Sequence, residues 1–359
     1  MTVFRLTMFP ANEGDCLLLS YGQEAALRHV LIDGGRKATF KKGGLKAALE
    51  AIEARGEGLE LLVLTHIDAD HIEGLLELVN EAPPVLKPRE VWFNGFDQMA
   101  FMPFLGILGI KQADAYTKAL KAHDWPINAR FQGSAIAVET VGTAIDIAGL
   151  KLTILSPDGA HLAPLRKDWE KYRREAEAIV VAEELDIPAA AFPLGPAILT
   201  ADPDVEALAA PTPIDDAVPN GSSIAFLAEF AGKRVLLTGD AHPDVLLASL
   251  EGLGFSVQSK CPVDLFKLSH HGSKGNVTRE LLDIVACHRF AVSTSGSRFD
   301  HPDPEAMARI LKTPTAARKQ IHFNYTSPET RLWDRASLQG TYGYDCVFPA
   351  TGTSSVIDI

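Results

Sequence analysis

The sequence predicts a layered α/β fold, and two observations lead to this class. In the first third of the chain, short apolar segments with the character of strands alternate with segments whose apolar residues recur at helical spacing. In addition, polar residues follow directly after apolar strand-like segments in both halves of the chain, namely Asp33, His66, Asp240 and His270. In α/β folds, ligands bind beyond the carboxyl ends of the strands. These four positions therefore mark one candidate functional edge.

The alternation begins at the N-terminus. The predicted elements of this part are strands over residues 2–8, 16–20, 29–32 and 59–64 and helices over residues 45–52 and 72–80. The strand at 59–64 is largely apolar, as expected of a strand that is buried on both faces. The β-α-β-α order that follows residue 29 predicts a sheet covered by helices.

The remainder of the chain alternates less regularly. The predicted elements are strands over residues 90–93, 150–155, 265–268 and 291–293, helices over 111–123 and from 165 onward, and a hairpin of strands 223–230 and 235–238. Residues 187–219 are rich in Ala and Pro and have no clean period, which predicts an extended loop.

Composition and charge exclude several classes of protein. Hydrophobic residues make up 47% of the 359 residues and charged residues 22%, which is typical of globular proteins and excludes a disordered or fibrous one. The net charge of −12 argues against a broad basic surface for nucleic acid, although it leaves room for a local basic groove. No apolar stretch approaches the ~18 residues of a membrane helix, so no membrane association is predicted.

The number and spacing of the cysteines indicate in which cellular compartment the protein is expected. The four cysteines are far apart and form no CxxC pair: Cys16, Cys261, Cys287 and Cys346. In a chain of this length, such usage is typical of reduced, intracellular proteins rather than of disulfide frameworks. The N-terminus also lacks the apolar core and cleavage site of a signal peptide. The expected location is therefore the cytoplasm.

Residues 65–71, THIDADH, place four side chains of metal-binding type directly after a predicted buried strand. The imidazoles of His66 and His71 and the carboxylates of Asp68 and Asp70 form a donor set suited to zinc, manganese or iron. The alternative is a solvated turn in which Asp68 or Asp70 caps the next helix. Such a turn has no need of two histidines flanking two carboxylates, so the motif favours a metal site.

HIDADH resembles the HxHxDH signature of the metallo-β-lactamase superfamily, in the form HxDxDH. LIDGG (31–35) is similar to an early strand of that family that ends in Asp, and LLTGD (236–240) to the strand that supplies a metal-bridging Asp. ANEGDCLLLSYG (11–22), FKLSHHGSKGN (266–276) and STSGSRFDHPDPEAM (293–307) resemble the hydrolase domain of ComEC-type DNA-uptake proteins and their soluble relatives. Nothing in this sequence resembles the membrane channel of those proteins, so DNA import is not implied.

For the fold, the resemblance implies an αββα sandwich, in which two mixed sheets pack face to face and helices lie outside. It also implies a single metallo-β-lactamase-like domain over residues 1–359, with an insertion at about residues 95–220. Both statements are expectations for the structure.

For the site, the resemblance implies two divalent metal ions, with zinc favoured and manganese as the alternative. His66 and Asp68 would face one ion, and Asp70 and His71 would face the other. Asp68 stands where many family members have His, and its hard oxygen is the reason to consider manganese. Asp33 would hold a ligand histidine in its orientation.

Residues of the second half would complete this centre. The resemblance implies that Asp240 bridges both ions and that a histidine of the pair His270 and His271 binds the second ion, without deciding which one. The usual third-motif His is missing before the predicted hairpin, where only Asp216 and Asn220 offer weak substitutes. The first metal position is therefore expected to be the weaker one.

The predicted function is that of a metal-dependent hydrolase, in which a hydroxide bound between two metal ions attacks the substrate and Asp70 or Asp240 orients it. Residues 270–276 combine histidines, a hydroxyl, an ammonium and an amide in one glycine-bearing loop, which suits a phosphate. Lys274 and His301 would assist the phosphate or the leaving oxygen. A phosphodiesterase or nuclease, acting on nucleic acid or a nucleotide, is therefore favoured.

Two alternatives stay open at this point. The same metal site could hydrolyse a lactone, a thioester or a lactam. The other alternative is a non-catalytic, metal-containing regulatory module that binds a nucleotide or a protein. Such a module would have no need of Asp240 together with His270 and His271, which argues against it. The residues give no prediction of the oligomeric state.

Overall fold

Two mixed β-sheets pack face to face at the centre of this protein, and helices cover their outer faces. The computed structural model describes residues 1–99, 110–141, 144–178, 202–350 and 352–359. This arrangement confirms the predicted αββα sandwich of two mixed sheets with helices outside.

The strands form two large sheets and one short pair. In chain order the strands are β1 (Thr2–Met8), β2 (Leu17–Gln23), β3 (Ala26–Ile32), β4 (Gly58–Val63), β5 (Val91–Trp92), β6 (Ile145–Ile147), β7 (Leu150–Ser156), β8 (Ala225–Phe230), β9 (Lys233–Leu237), β10 (Cys261–Pro262), β11 (Leu265–Lys267), β12 (Val285–Ala286), β13 (Arg289–Val292), β14 (Lys319–Phe323), β15 (Tyr344–Val347) and β16 (Ser355–Asp358). The first sheet has the order β16-β1-β2-β3-β4-β5 and the second β15-β14-β13-β11-β9-β8-β7-β6, while β10 pairs with β12.

The helices lie between these strands in the chain. They are α1 (Lys37–Lys41), α2 (Leu45–Ala54), α3 (Ala69–Val79), α4 (Ile110–Ala122), α5 (Val138–Val141), α6 (Gly159–Ala178), α7 (Val205–Leu208), α8 (Val218–Gly221), α9 (Pro243–Gly252), α10 (Arg279–Ile284), α11 (Pro304–Lys312), α12 (Pro328–Arg331) and α13 (Ala336–Tyr342). None of the described helices is both long enough and apolar enough to cross a membrane.

The core between the sheets follows from the alternation of side chains along each strand. In β1, Phe4, Leu6 and Met8 are buried, and the residues between them are more exposed. They join a cluster that also contains Phe226 of β8 and Leu237 of β9 from the second sheet. Full burial of one such side chain contributes roughly 1.5–3 kcal/mol. The two sheets are therefore held together mainly by this apolar layer.

Parallel pairing brings the candidate loops to one edge of each sheet. Strand β3 is parallel to β4 in the first sheet, and β9 is parallel to β11 in the second. Asp33 and His66 follow β3 and β4, and Asp240 and His270 follow β9 and β11. Because the carboxyl ends of parallel neighbours meet at the same edge, the loops of each sheet lie side by side.

The range predicted as an insertion, 95–220, contains strands of the second sheet, and the insertion itself stays a prediction. Strands β6 and β7 lie within this range, yet they are the last two strands of the second sheet. They complete the sandwich because Leu150 and Leu152 of β7 are buried in the layer between the sheets. Residues 100–109, 142–143 and 179–201 of the range lie outside the described residues. In the segment predicted as an extended loop, 187–219, the structure also contains the short helix α7 and the start of α8.

Candidate metal centre

The first sheet supplies the HIDADH residues. Strand β4 ends at Val63, and helix α3 begins at Ala69, so Asp70 and His71 lie in the first turn of that helix. Asp68 occupies the N-cap position of α3, but its side chain makes no capping hydrogen bond. The alternative in which Asp68 serves as a helix cap is therefore not what the structure shows.

Asp33 holds this loop in place through hydrogen bonds. Its buried carboxylate accepts hydrogen bonds from the backbone N–H and the hydroxyl of Thr65, both at 2.7 Å. It also lies 2.8 Å from Nδ1 of His71, which donates to it. Because Nδ1 donates to Asp33, Nε2 of His71 faces the centre, and it would have the lone pair of a metal ligand once an ion replaces its proton. Asp33 thus has the orienting position that the sequence predicts for it.

Two glycines allow this close contact. A Cβ atom on Gly74 of α3 would lie 1.9 Å from the carbonyl oxygen of Gly34, which is far inside van der Waals contact. The N–H of Gly34 donates to the carbonyl of His71 at 2.8 Å, and the N–H of Gly74 donates to Gly35 at 2.9 Å. A side chain at position 34 or 74 would push α3, and His71 with it, away from Asp33.

The second sheet supplies Asp240 after β9 and the histidine pair after β11. His270 and His271 lie in the short turn Ser269–Gly272 with φ values of 46° and 56°, and Asp33 has φ 58°. Residues other than glycine rarely adopt this left-handed conformation, which costs of order 1–3 kcal/mol at each position. Three residues of one site therefore have strained backbone, as is typical of functional sites.

The histidines of both sheets converge on one carboxylate. The Nε2 atoms around Oδ2 of Asp240 lie at 3.4 Å for His71, 3.6 Å for His271, 3.7 Å for His270 and 3.8 Å for His66. Two ligands bound at ~2.0–2.1 Å to a tetrahedral zinc ion are themselves about 3.3–3.4 Å apart. The observed spacing is therefore close to that of atoms that share a metal ion.

Two further carboxylates complete the cluster. Oδ2 of Asp70 lies 3.5 Å from Nε2 of His271 and 3.9 Å from Nε2 of His71. Oδ2 of Asp68 lies 3.8 Å from Nε2 of His66. The structure thus brings the predicted ligands of both halves to one place. Which of them share an ion stays a prediction.

The two histidines of the pair have different neighbours. His271 is buried and its Nδ1 donates to the carbonyl of Ser293 at 2.9 Å, which leaves Nε2 free to face Asp240. His270 is partly exposed, and its Nδ1 lies 3.1 Å from Oδ1 of Asn276 and 3.3 Å from Oδ2 of Asp215. Both rings therefore direct Nε2 toward the centre, and only His271 also lies next to Asp70.

Buried polar atoms without partners show that a cation fits this cluster. Among the described residues, Nε2 of His66, His71 and His271 and Oδ1 of Asp240 are buried and have no hydrogen-bond partner. A buried polar atom left unpaired costs about 1–3 kcal/mol, so four of them around one point need a common partner. Imidazole nitrogen and carboxylate oxygen suit zinc, manganese or iron.

The electrostatics also favour a cation at this point. Burial, reinforced by the charge of His71, lowers the pKa of His66 to about 3, so its ring is neutral. Burial opposes protonation of His271, yet the nearby carboxylates of Asp240 and Asp15 raise its pKa to about 10. Burial and the charge of Asp70 raise the pKa of Asp68 to about 7. The carboxylates thus favour positive charge at the centre. Divalent ions, when bound there, would supply that charge.

Asp15 and Lys267 are site residues that were not among those predicted. The ammonium of Lys267 is fully buried and donates to Oδ2 of Asp15 and to the carbonyl of Leu268. Oδ1 of Asp15 lies 3.5 Å from Nδ1 of His271. The sequence does contain a signal, because a lysine inside the apolar run LFKL requires a buried acidic partner. It does not reveal which acid that partner is.

Of the two predicted assisting residues, the structure brings one to the centre. The ring of His301 lies 5.5 Å from the ring of His270, centroid to centroid, and its Nδ1 is 3.4 Å from Asp303. The ammonium of Lys274 lies 3.4 Å from Glu305, and this side chain is 49% exposed. The catalytic roles of both residues stay predictions.

The substitutes for the missing third-motif His also differ in position. The amide of Asn220 donates to Oδ2 of Asp215 at 2.7 Å and lies 3.3 Å from Nδ1 of His270. Asp216 is exposed. Asp215, next to it in the chain, is the carboxylate that contacts His270.

The fold and this cluster define a class: an α/β sandwich with a buried cluster of His and Asp residues of metal-binding type at the carboxyl ends of its strands. Residues 24–105, which include the HIDADH motif, match the family model of the metallo-beta-lactamase superfamily. The chain is thus similar to that superfamily over these residues, which are less than a quarter of its length. A search of the curated proteins finds no match.

Solved structures with a similar fold have low sequence identity. One is the metallo-beta-lactamase fold protein YhfI from Bacillus subtilis, at 10% identity and a TM-score of 0.41, covering 99% of this chain and 100% of that one. Yeast PDE1 has 11% identity and a TM-score of 0.44 over 99% and 100% of the two chains. The short form of human tRNase Z has 11% and 0.39 over 98% of each. Such similarity carries no argument about substrates, and the ComEC-type resemblance stays a prediction.

Proposed function

We propose that this protein is a metal-dependent hydrolase of phosphodiesters, with nucleic acid or a nucleotide as substrate. One observation carries the proposal: imidazole Nε2 atoms from both sheets surround Oδ2 of Asp240 at 3.4–3.8 Å, with the carboxylate of Asp70 beside them. A cluster of this composition has little use in a purely structural role, because it leaves several buried atoms unpaired.

The residues divide into two groups of ligands. His66 and Asp68 would hold one ion, Asp70 and His71 would hold the other, and Asp240 would serve both, with His271 completing the second group. Two divalent ions of the zinc or manganese class, when bound there, would stabilise charge on the attacking and leaving oxygens. His270 lies at the rim of the centre, where Asp215 and Asn276 face its Nδ1.

The chain's own residues orient the reactants. Asp70 and Asp240 accept hydrogen bonds from an attacking water and so fix its direction. His301, beside His270, donates a proton to the leaving oxygen, as a phosphodiester with an alkoxide leaving group requires. Lys274 is the alternative donor to the phosphate, although its ammonium would first have to leave Glu305.

Hydrolysis of bis-p-nitrophenyl phosphate, compared with that of a chromogenic cephalosporin, tests the proposal. We expect zinc- or manganese-dependent hydrolysis of the phosphodiester and no turnover of the lactam. Asp70→Ala and His71→Ala should abolish this activity while circular dichroism shows that the fold survives. Full activity of both variants, or faster turnover of the cephalosporin, would refute the proposal. Bound metal without turnover of any ester would favour a binding module instead.

The proton donor can be identified from the leaving group. p-Nitrophenolate leaves readily without a proton, whereas a nucleoside alkoxide does not. His301→Ala should therefore slow hydrolysis of a dinucleotide by roughly 10²-fold or more and hydrolysis of the p-nitrophenyl ester much less. Lys274→Ala serves as the matched control. If Lys274→Ala, rather than His301→Ala, shows this dependence on the leaving group, then Lys274 is the proton donor and His301 contacts the phosphate.

A further inference from the structure

A second cluster of metal-binding side chains lies outside the centre described above. We propose that His161, His242 and Asp244 bind one divalent transition-metal ion of the zinc class. One ligand atom from each of these residues lies within 4.8 Å of the other two. The three residues line a pocket of about 350 Å³ that is open to solvent.

Two helix starts bring these residues together. His161 lies in the first turn of α6, His242 immediately precedes α9, and Asp244 lies in the first turn of α9. The two imidazole rings are 5.2 Å apart, centroid to centroid, with an angle of 87° between their planes. The carboxylate of Asp244 is exposed, so its rotation can close the remaining distance to an ion.

The ring of His242 is held in a ligand-ready state. Its Nε2 lies 3.0 Å from the carbonyl oxygen of Ala217, and since a carbonyl only accepts, Nε2 must carry the proton. Nδ1 of the neutral ring then has the lone pair. His242 is 6% exposed, and no described residue forms a hydrogen bond with this Nδ1.

The ring of His161 is prepared in the same way. Its Nδ1 donates to Oδ1 of Asp158 at 2.7 Å, which leaves the lone pair on Nε2. Metal-binding histidines almost always donate their other N–H to a carboxylate or a backbone carbonyl, which fixes the tautomer and the ring orientation. Here one histidine has the carboxylate and the other has the carbonyl.

A glycine keeps the space between the rings free. A Cβ atom on Gly221 would lie 2.9 Å from Cε1 and 3.1 Å from Nδ1 of His242, and 3.1 Å from Cδ2 of His161. Gly221 is part of the helical turn α8 and does not have a positive φ, so its backbone does not require glycine. What requires glycine is the space next to Nδ1 of His242.

The ligand set indicates the kind of ion and its surroundings. Two imidazole nitrogens and one carboxylate oxygen suit zinc and its neighbours, and three protein ligands leave a coordination position open. Asp215 lines the same pocket, and its carboxylate lies 3.3 Å from His270. An ion bound by these three residues would therefore lie next to the rim of the centre and remain exchangeable with solvent.

Zinc binding to the wild type and four variants tests this site separately from the centre. Chelator-stripped protein is titrated with zinc(II) in a calorimeter, and bound metal is counted by mass spectrometry. We expect about three ions for the wild type, two for His161→Ala, one for Asp70→Ala/Asp240→Ala, and none when all three changes are combined. His123→Ala, which removes a histidine outside both clusters, should leave three ions.

The outcomes separate the two proposals. If the Asp70→Ala/Asp240→Ala protein binds no zinc, or if His161→Ala binds as many ions as the wild type, the peripheral site is refuted. If the wild type binds one ion and His161→Ala binds none, the peripheral site stands and the dinuclear centre fails. Gly221→Ala gives a second check, because the added methyl group should weaken this one site by at least about tenfold while the other ions stay bound.

Discussion

The two sheets hold their shares of the candidate centre in different ways. In the first sheet, four predicted ligands lie within residues 66–71, and Asp33 fixes them through Thr65 and His71. In the second sheet, the ligands come from two separate loops. Nδ1 of His271 donates to the carbonyl of Ser293 and also lies 3.5 Å from Asp15, which belongs to the first sheet's β1–β2 loop and pairs with Lys267 across the sandwich. One half of the centre is thus assembled locally and the other half only by the completed fold.

The backbone shows the same contrast. Asp70 and His71 lie in the regular first turn of α3. His270 and His271 lie in consecutive left-handed conformations, which persist only when surrounding contacts hold them. The second half of the centre should therefore be the more sensitive to substitutions at its supports.

The largest effect is expected where the two halves meet. Asp240→Ala removes the carboxylate that all four histidines face, so the centre should lose its ions and hydrolysis should fall by about 10⁴-fold. Metal counting and the rate on bis-p-nitrophenyl phosphate check this. Asp283→Ala removes a carboxylate paired with Arg279 on the surface of α10 and should change neither. Retention of both ions and of the rate in Asp240→Ala would mean that the halves do not share a ligand.

The second-largest effect is expected when the ion pair of Asp15 and Lys267, which supports the second half of the centre, is broken. Lys267→Met leaves Asp15 buried without its cation, which should lower the free energy of unfolding by about 3–5 kcal/mol. Adding Asp15→Asn should recover part of that loss, because the charge left unpaired is then gone. Lys233→Met, which removes an exposed partner of Asp264, should cost less than about 1 kcal/mol. Equal losses for the two lysines in urea unfolding would contradict this reasoning.

Much of the local half could be predicted from the sequence, for a physical reason. Four residues of metal-binding type within six positions, directly after an apolar strand, can be recognised without knowing the fold. The helix after them was also predicted, although it begins at Ala69 rather than at residue 72 because the HIDADH motif itself forms its first turn. Asp240 and His270 could be singled out because each follows directly after an apolar strand-like segment.

Contacts between residues that are far apart in the sequence could not be predicted. Asp15 and Lys267 are separated by 252 positions, and no periodicity pairs them. The same holds for His161 and His242, which become neighbours only because α6 and α9 start side by side. A strand over residues 150–155 was predicted, but only the pairing of β7 with β6 and β8 shows that β6 and β7 extend the second sheet.

A smaller effect is expected at the support of the first half. Asp33→Asn keeps the shape of the side chain but removes the charge that His71 faces, so zinc affinity should fall about 10–100-fold. Competition with a chelator of known affinity measures this. Since the anchor acts on His71, the peripheral ion at His161 should be bound as in the wild type. Unchanged affinity of the centre would show that Thr65 and the helix alone hold His71 in place.

The smallest effect concerns two buried histidines that are not among the predicted ligands, one in each sheet. His29 in β3 lies 2.9 Å from the hydroxyl of Ser20 and 3.1 Å from Glu57. His322 in β14 is also buried, but no described residue forms a hydrogen bond with its Nε2. Burial lowers the pKa of both, and that of His322 falls to about 4 because burial and the charge of Arg289 act together. For His29, the carboxylate of Glu57 opposes the effect of burial.

The sign of the pH dependence follows from these directions. Below an ordinary histidine pKa of ~6.5, the unfolded chain binds a proton that the folded His322 does not, so stability declines as the pH falls from about 6.5 toward 4. His322→Leu should remove about 1 kcal/mol of the decline between pH 7.5 and 5.5, measured by urea unfolding at both values. His29→Leu should remove less, because Glu57 favours protonation of His29 in the folded state. If both variants changed the slope equally, the carboxylate partner in the first sheet would have no effect on proton binding.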